Sequence, residues 1–152
     1  MPTQKLTHLD ARGEASMVDV SAKPIQEREA VARGEIRLQP STLKLIQANK
    51  VAKGNVLATA RIAGIMAAKK TGDLIPLCHP LPLTHAEVNF EIPASQDRVI
   101  ITASAKILAR TGIEMEALTA VNIAALTIYD MCKAVDKKMR ITNVKLVSKT
   151  KK

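Results

Sequence analysis

The spacing of apolar and polar side chains changes period several times along the chain, and each change marks an element. Ala30 to Leu38 alternates with a period of two and reads as a half-buried strand, with Gly34 as its weak point and candidate bulge. Met17-Val18-Asp19-Val20-Ser21 also alternates and predicts a short strand, interrupted by Pro24. Pro40-Ser41-Thr42 opens a helix. Ser41 is its expected N-cap, and Leu43, Leu45 and Ile46 form its apolar face up to about Asn49. Gly54-Asn55 precedes a second helix, Val56 to Lys70, which Thr71-Gly72-Asp73 ends. Its Ala60, Gly64 and Ala68 share one face and would let another backbone approach closely.

Three prolines between Leu74 and Leu83 exclude both a helix interior and a central strand. A loop this apolar is expected to pack down and to present Cys78 and His79. Thr84 to Ile92 and Arg98 to Leu108 alternate again and are joined by Ala94 to Asp97, which predicts a hairpin. Glu114 to about Val135 forms one long helix, apolar nearly all round and therefore buried. Arg140 to Val147 is the last expected strand. The order strand, helix, helix, hairpin, helix, strand predicts an α+β, ferredoxin-like sandwich, with helices packed on one face of an antiparallel or mixed sheet. Residues 1–16 read as a flexible N-terminal arm, 17–149 as a single catalytic domain and 150–152 as a basic C-terminal tail.

Charge adds a bias toward anions. The net charge is +9, and the eight basic residues and single acid from Lys133 onward supply +7 of it. An anionic ligand or a nucleic acid fits that excess. Phe90 and Tyr129 are the only aromatics, so base stacking has little to use. A basic nucleic-acid-binding α+β module remains the alternative to an enzyme. Two cysteines without a CxxC pattern and no signal-peptide pattern suit a reducing, cytoplasmic setting. No apolar run is long enough to predict a membrane span. Cys78, His79, His85 and Cys132 match no usual ligand spacing, so neither a metal nor another cofactor is expected.

Chemistry concentrates at the two ends of the long helix. Asp130 and Lys133, three residues apart, share a helix face; on so apolar a helix they are expected in a cleft, as an acid/base couple rather than a solvated ion pair. Glu114 and Glu116 occupy the first turn, where the helix dipole favours acids, and Thr111 with Glu114 fits a capping box. Lys53, beside Gly54 and a helix N-terminus, suits a phosphate. From Glu116 to Asp130 is 14 residues, about 21 Å of helix. One small-molecule site using both ends therefore implies two chains, each supplying one end.

Five segments carry a resemblance: Met17 to Ser21, Lys53-Gly54 with Ala58 to Ile65, Leu74 to Leu81, Gly112 to Ala120, and Leu126 to Ala134. Together they resemble the cyclic pyranopterin monophosphate synthase family of molybdenum cofactor biosynthesis, the MoaC family. The resemblance implies a homohexamer, a trimer of dimers, with active sites at the dimer interface. It implies a lyase converting 3′,8-cyclo-7,8-dihydroguanosine 5′-triphosphate to cyclic pyranopterin monophosphate with release of pyrophosphate. Asp130, Lys133 and Lys53 match the family's catalytic positions. Leu77, Cys78, His79, Met115 and Glu116 match substrate-contacting segments, Glu114 a further acidic position, and Lys149 a lysine near the site. Lys53 and Asp130 are then expected to come from different protomers.

Overall fold

The structure, a computed structural model, describes residues 7–152. Eight elements follow in order: β1 (Gln26–Arg37), α1 (Pro40–Gln47), α2 (Val56–Lys69), α3 (Thr71–Leu74), β2 (His85–Glu91), β3 (Arg98–Ala109), α4 (Glu114–Cys132) and β4 (Arg140–Lys151). The strands form one sheet in the order β2-β3-β1-β4, with every neighbouring pair antiparallel. This is the expected ferredoxin-like arrangement, and its sheet is antiparallel rather than mixed.

Alternation along β1 and β3 turns Ala30, Ala32, Gly34, Ile36, Val99, Ile101, Ala103, Ala105 and Ile107 inward, where they are buried. The other face carries the charged positions, among them Glu29, Arg33, Glu35 and Lys106. Against the apolar face lies α4, with Ala117, Val121, Ala124, Ala125 and Ile128 fully or almost fully buried. Each large aliphatic side chain buried there contributes about 1.5–3 kcal/mol. Helix α2 packs beside α4 through Ala60, Gly64 and Ala68. A Cβ on Gly64 would stand 3.0 Å from the Ala120 carbonyl oxygen and 3.0 Å from Val88 Cγ2, so the small-residue face does bring two backbones together. Gly34 sits under α4 in the same manner: its Cβ would meet Val121 Cγ1 at 2.6 Å and Val144 Cγ2 at 3.0 Å.

Several boundaries differ from the sequence reading. Residues 17–21 form no strand and pair with neither free edge of the sheet, the outer sides of β2 and β4. They end in a turn in which the Asp19 carboxylate accepts hydrogen bonds from the Ser21 N–H and hydroxyl. The N-cap of α1 is Gln39, with Pro40 in the first turn, and its own side chain makes no cap. The cap comes instead from Asp136, described below. The capping box at α4 does not form, Ile113 being the N-cap without a side-chain bond. Strand β4 runs four residues past Val147, pairing Thr150 with Glu29 and Lys151 with Arg28, so residues 150 and 151 belong to the sheet rather than to a tail. The register of β4 against β1 slips twice, between Val31 and Ala32 and across Gly34; at both places β4 carries the extra residue. Of the expected N-terminal arm, residues 1–6 lie outside the described residues, and 7–16 make a small turn closed by a Leu9–Ala15 bridge.

Candidate active site

The C-terminal end of α4 gathers three of the expected catalytic side chains. Asn55 caps α2 by accepting the Ala58 N–H, and the loop before it delivers Lys53. Lys53 Nζ donates to Asp130 Oδ2 at 3.0 Å and to the Asp130 carbonyl oxygen at 3.1 Å. Lys133 Nζ approaches Asp130 Oδ1 at 3.2 Å. The hydrogen bonds from Lys53 and then Lys133 hold the Asp130 carboxyl below the ordinary carboxylate range. All three side chains are about half exposed or more in the single chain (49–58%), so the expected cleft is not closed by this chain itself. Lys53 and Asp130 meet within one chain, which replaces the expectation that different protomers supply them.

The other residues assemble at the opposite end of α4. The proline loop is pinned where Gly72 passes Pro80, close enough that a Cβ would lie 2.9 Å from Pro80 Cα. This presents Leu77, Cys78 and His79 beside the first turn of α4. A pocket of about 270 Å³ opens there, lined by the Leu77 to His79 loop, Glu114, Met115 and the basic side chains of Lys23, Arg28 and Arg110. His79 Nε2 lies 2.6 Å from the Val18 carbonyl oxygen, an acceptor, so Nε2 carries the proton. Lys149 on β4 donates to Glu114 Oε1 at 3.2 Å, at the edge of an adjoining pocket of about 170 Å³ that Arg28 also lines.

Glu116 is buried (2% exposed), and burial, with the Glu114 charge nearby, raises its carboxyl to about 6. Such a group exchanges protons near neutral pH. Burial, then Glu116 and Glu114, raise the Cys78 thiol, which disfavours a thiolate nucleophile. Among the described residues, no three His, Cys, Asp or Glu side chains converge as a metal site, and no helix is long and apolar enough to cross a membrane.

Sequence reasoning missed Lys23, Arg28 and Arg110. Arg28 sits at an inward position of β1, the only charge among its buried small neighbours, and its Nε lies buried without a partner. A cation on the apolar stripe of a strand was the signal available. One of its guanidinium nitrogens donates to the Arg110 carbonyl at 3.2 Å, which ties the two arginines' segments together.

Residues 17–152 match the model of the MoaC family. The chain belongs to the MoaC family. It is 59% identical over 145 residues to a cyclic pyranopterin monophosphate synthase of Roseiflexus sp. (strain RS-1), covering 95% of this chain and 92% of that protein. A protein of the same name from Chloroflexus aurantiacus is also 59% identical over 145 residues, 95% of this chain and 89% of that one. A third, from Parvibaculum lavamentivorans, is 53% identical over 150 residues, 99% of this chain and 94% of its own length. The nucleic-acid-binding alternative finds no support in these relatives. Its aromatics also point the wrong way, since Phe90 and Tyr129 are partly buried against the core.

Proposed function

We propose that this member of the MoaC family is a cyclic pyranopterin monophosphate synthase, a lyase of molybdenum cofactor biosynthesis. It acts in the cytoplasm on 3′,8-cyclo-7,8-dihydroguanosine 5′-triphosphate. The observation that carries the reading is the near-full-length identity to proteins of that name, 53–59%. The geometry supports it. A triphosphate needs several cations, and Lys23, Arg28 and Arg110 line one pocket while Lys53 and Lys133 flank Asp130.

Forming the cyclic phosphate requires a sugar hydroxyl to attack the α-phosphorus as pyrophosphate leaves. The hydroxyl proton goes to a base, and the lysines and arginines neutralise the departing oxygens. With its carboxyl held below the usual range, Asp130 is a weak base and serves chiefly to orient Lys53 and Lys133. Glu116, raised to about 6, is the better proton carrier of the two. Leu77, Cys78, His79, Glu114, Met115 and Lys149 shape the other wall.

The two clusters occupy opposite ends of a 19-residue helix. We therefore take the working site to be shared: the pocket at the α4 N-terminus of one chain closed by the Lys53–Asp130–Lys133 cluster of a second copy, in a homohexamer of three dimers. Anaerobic incubation with the cyclised nucleotide tests the reaction. Pyrophosphate and a pterin product appearing in equal amounts support the reading; neither appearing overturns it.

A further inference from the structure

Asp136 lies three residues beyond Lys133, is 2% exposed, and has no place in the chemistry above. Its Oδ2 accepts the Gln39 N–H at 2.9 Å and the Thr42 hydroxyl at 2.9 Å, and its Oδ1 accepts the Lys138 N–H at 3.1 Å. Its own N–H donates to the Cys132 carbonyl at 3.1 Å. One carboxylate thus caps α1 and fastens it to the corner that ends α4. Helix α1 then runs without slack into the loop carrying Lys53. Asn49, at φ 55°, ends α1 in the left-handed conformation, and the Lys50 N–H returns to the Leu45 carbonyl at 2.9 Å. Val51 packs against the core, and the Gly54 N–H closes a turn onto the Val51 carbonyl at 3.0 Å. Lys53, inside that turn, reaches back to Asp130, six residues before Asp136.

The contacts form a closed ring: Asp130, the end of α4, Asp136, α1, the Lys53 loop, and Asp130 again. Among the described residues, the hydrogen bonds that join α1 to the α4 corner run through one buried side chain, the Asp136 carboxylate. The exposed Lys53–Asp130 bond alone would hold a long flexible side chain weakly.

We propose that Asp136 is a positioning residue for catalysis, fixing through α1 where Lys53 meets Asp130 and Lys133. This rests on the reading of those three as the catalytic cluster. The test uses full-length Asp136→Asn, Asp136→Ala and Thr42→Val chains, with Lys53→Ala as control. It reads kcat and KM per folded protein, the denaturation midpoint, and the Asp130 carboxyl titration by ¹³C NMR.

Asn keeps a carbonyl oxygen for Gln39 and Thr42, so Asp136→Asn should hold kcat within about threefold and leave the Asp130 titration in place. Asp136→Ala should lower kcat about tenfold or more with little change in KM, because misplacement of reacting groups acts on the chemical step. It should also move the Asp130 titration up toward that of an ordinary aspartate. If the Ala chain does not fold, Thr42→Val, close in shape and lacking only the hydroxyl, should show the same two shifts at smaller size. A lowered midpoint with unchanged kcat and unchanged Asp130 titration would overturn the proposal. Full turnover in Lys53→Ala would instead remove the catalytic reading beneath it.

Discussion

Lys53 Nζ stands 3.0 Å from Asp130 Oδ2, although 77 residues separate the two in the chain. The contact binds the α1–α2 connection to the last turns of α4, and with Lys133 it concentrates two cations on one carboxylate. Both lysines remain about half exposed. Their removal should therefore cost little stability and much activity. Lys53→Ala and Lys133→Ala are each expected to keep the thermal midpoint within a few degrees and to lower kcat by about 10²-fold or more. Calorimetry and product assays on the same preparations check both halves of that statement.

The proposal that two copies share each site makes a further prediction about mixtures. Refolding Lys133→Ala chains together with His79→Ala chains should regenerate about a quarter of wild-type turnover, since half the dimers are mixed and each mixed dimer holds one intact site. Lys53→Ala mixed with Asp130→Ala should regenerate none, because one chain supplies both residues. Equal recovery in the two mixtures would refute the division of the site.

Glu116 gives a pH dependence with a definite sign. Its carboxyl titrates at 4.5 when unperturbed and at about 6 in the fold. Between those values the folded chain holds more protons than the unfolded one, so stability falls as pH rises through the window and returns on acidification. Glu116→Gln removes the charge at every pH. It should raise the midpoint at pH 7–8 by roughly 6 °C, equivalent to about 2 kcal/mol, with the gain fading below pH 5. The same substitution should erase an acid limb near pH 6 in kcat. A midpoint difference independent of pH would contradict the burial argument.

Gly34 offers a stability prediction. Gly34→Ala places a methyl against Val121 Cγ1 and Val144 Cγ2 and should cost about 1–3 kcal/mol by overpacking. Val121→Ala in the same chain should recover part of the loss. Urea denaturation of the two single variants and the double variant measures it.

The elements were legible because their periods are strong. The alternation of Ala30 to Leu38, of Thr84 to Ile92 and of Arg98 to Leu108, and the nearly unbroken apolar course of α4, each admit one reading. Met17 to Ser21 alternates equally well, yet it joins neither free edge of the sheet, the outer sides of β2 and β4, and pairing is a property of the whole sheet. Ser41 looked like a cap, but the acceptor came from Asp136, 97 residues from the Gln39 N–H that it satisfies. Within the candidate site, the sequence names the motif residues. Which of them share an end of α4 was half readable from helix rise. The rise separates Glu116 from Asp130, and says nothing of where the Lys53 loop lands. Arg28 was hidden because a half-buried arginine on an inward strand position looks like a misplaced charge until the pocket beside it is seen.

The bulge in β4 at Val147 decides which side chain faces Glu114. Ala30 and Ala32 both turn toward the helices; Leu146 pairs with Ala32, yet Lys149, not Ser148, pairs with Ala30. Were Val147 to take a regular place opposite Val31, strict alternation would bring Ser148 inward and swing Lys149 to the far side of the sheet. Deleting Val147 would thus regularise the ladder and leave Lys149 opposite Ala30, whereas pairing the full sequence without a bulge would put a hydroxyl in place of the ammonium beside the Glu114 carboxylate. Where β4 places its bulge is as much a determinant of local charge as the identity of Lys149.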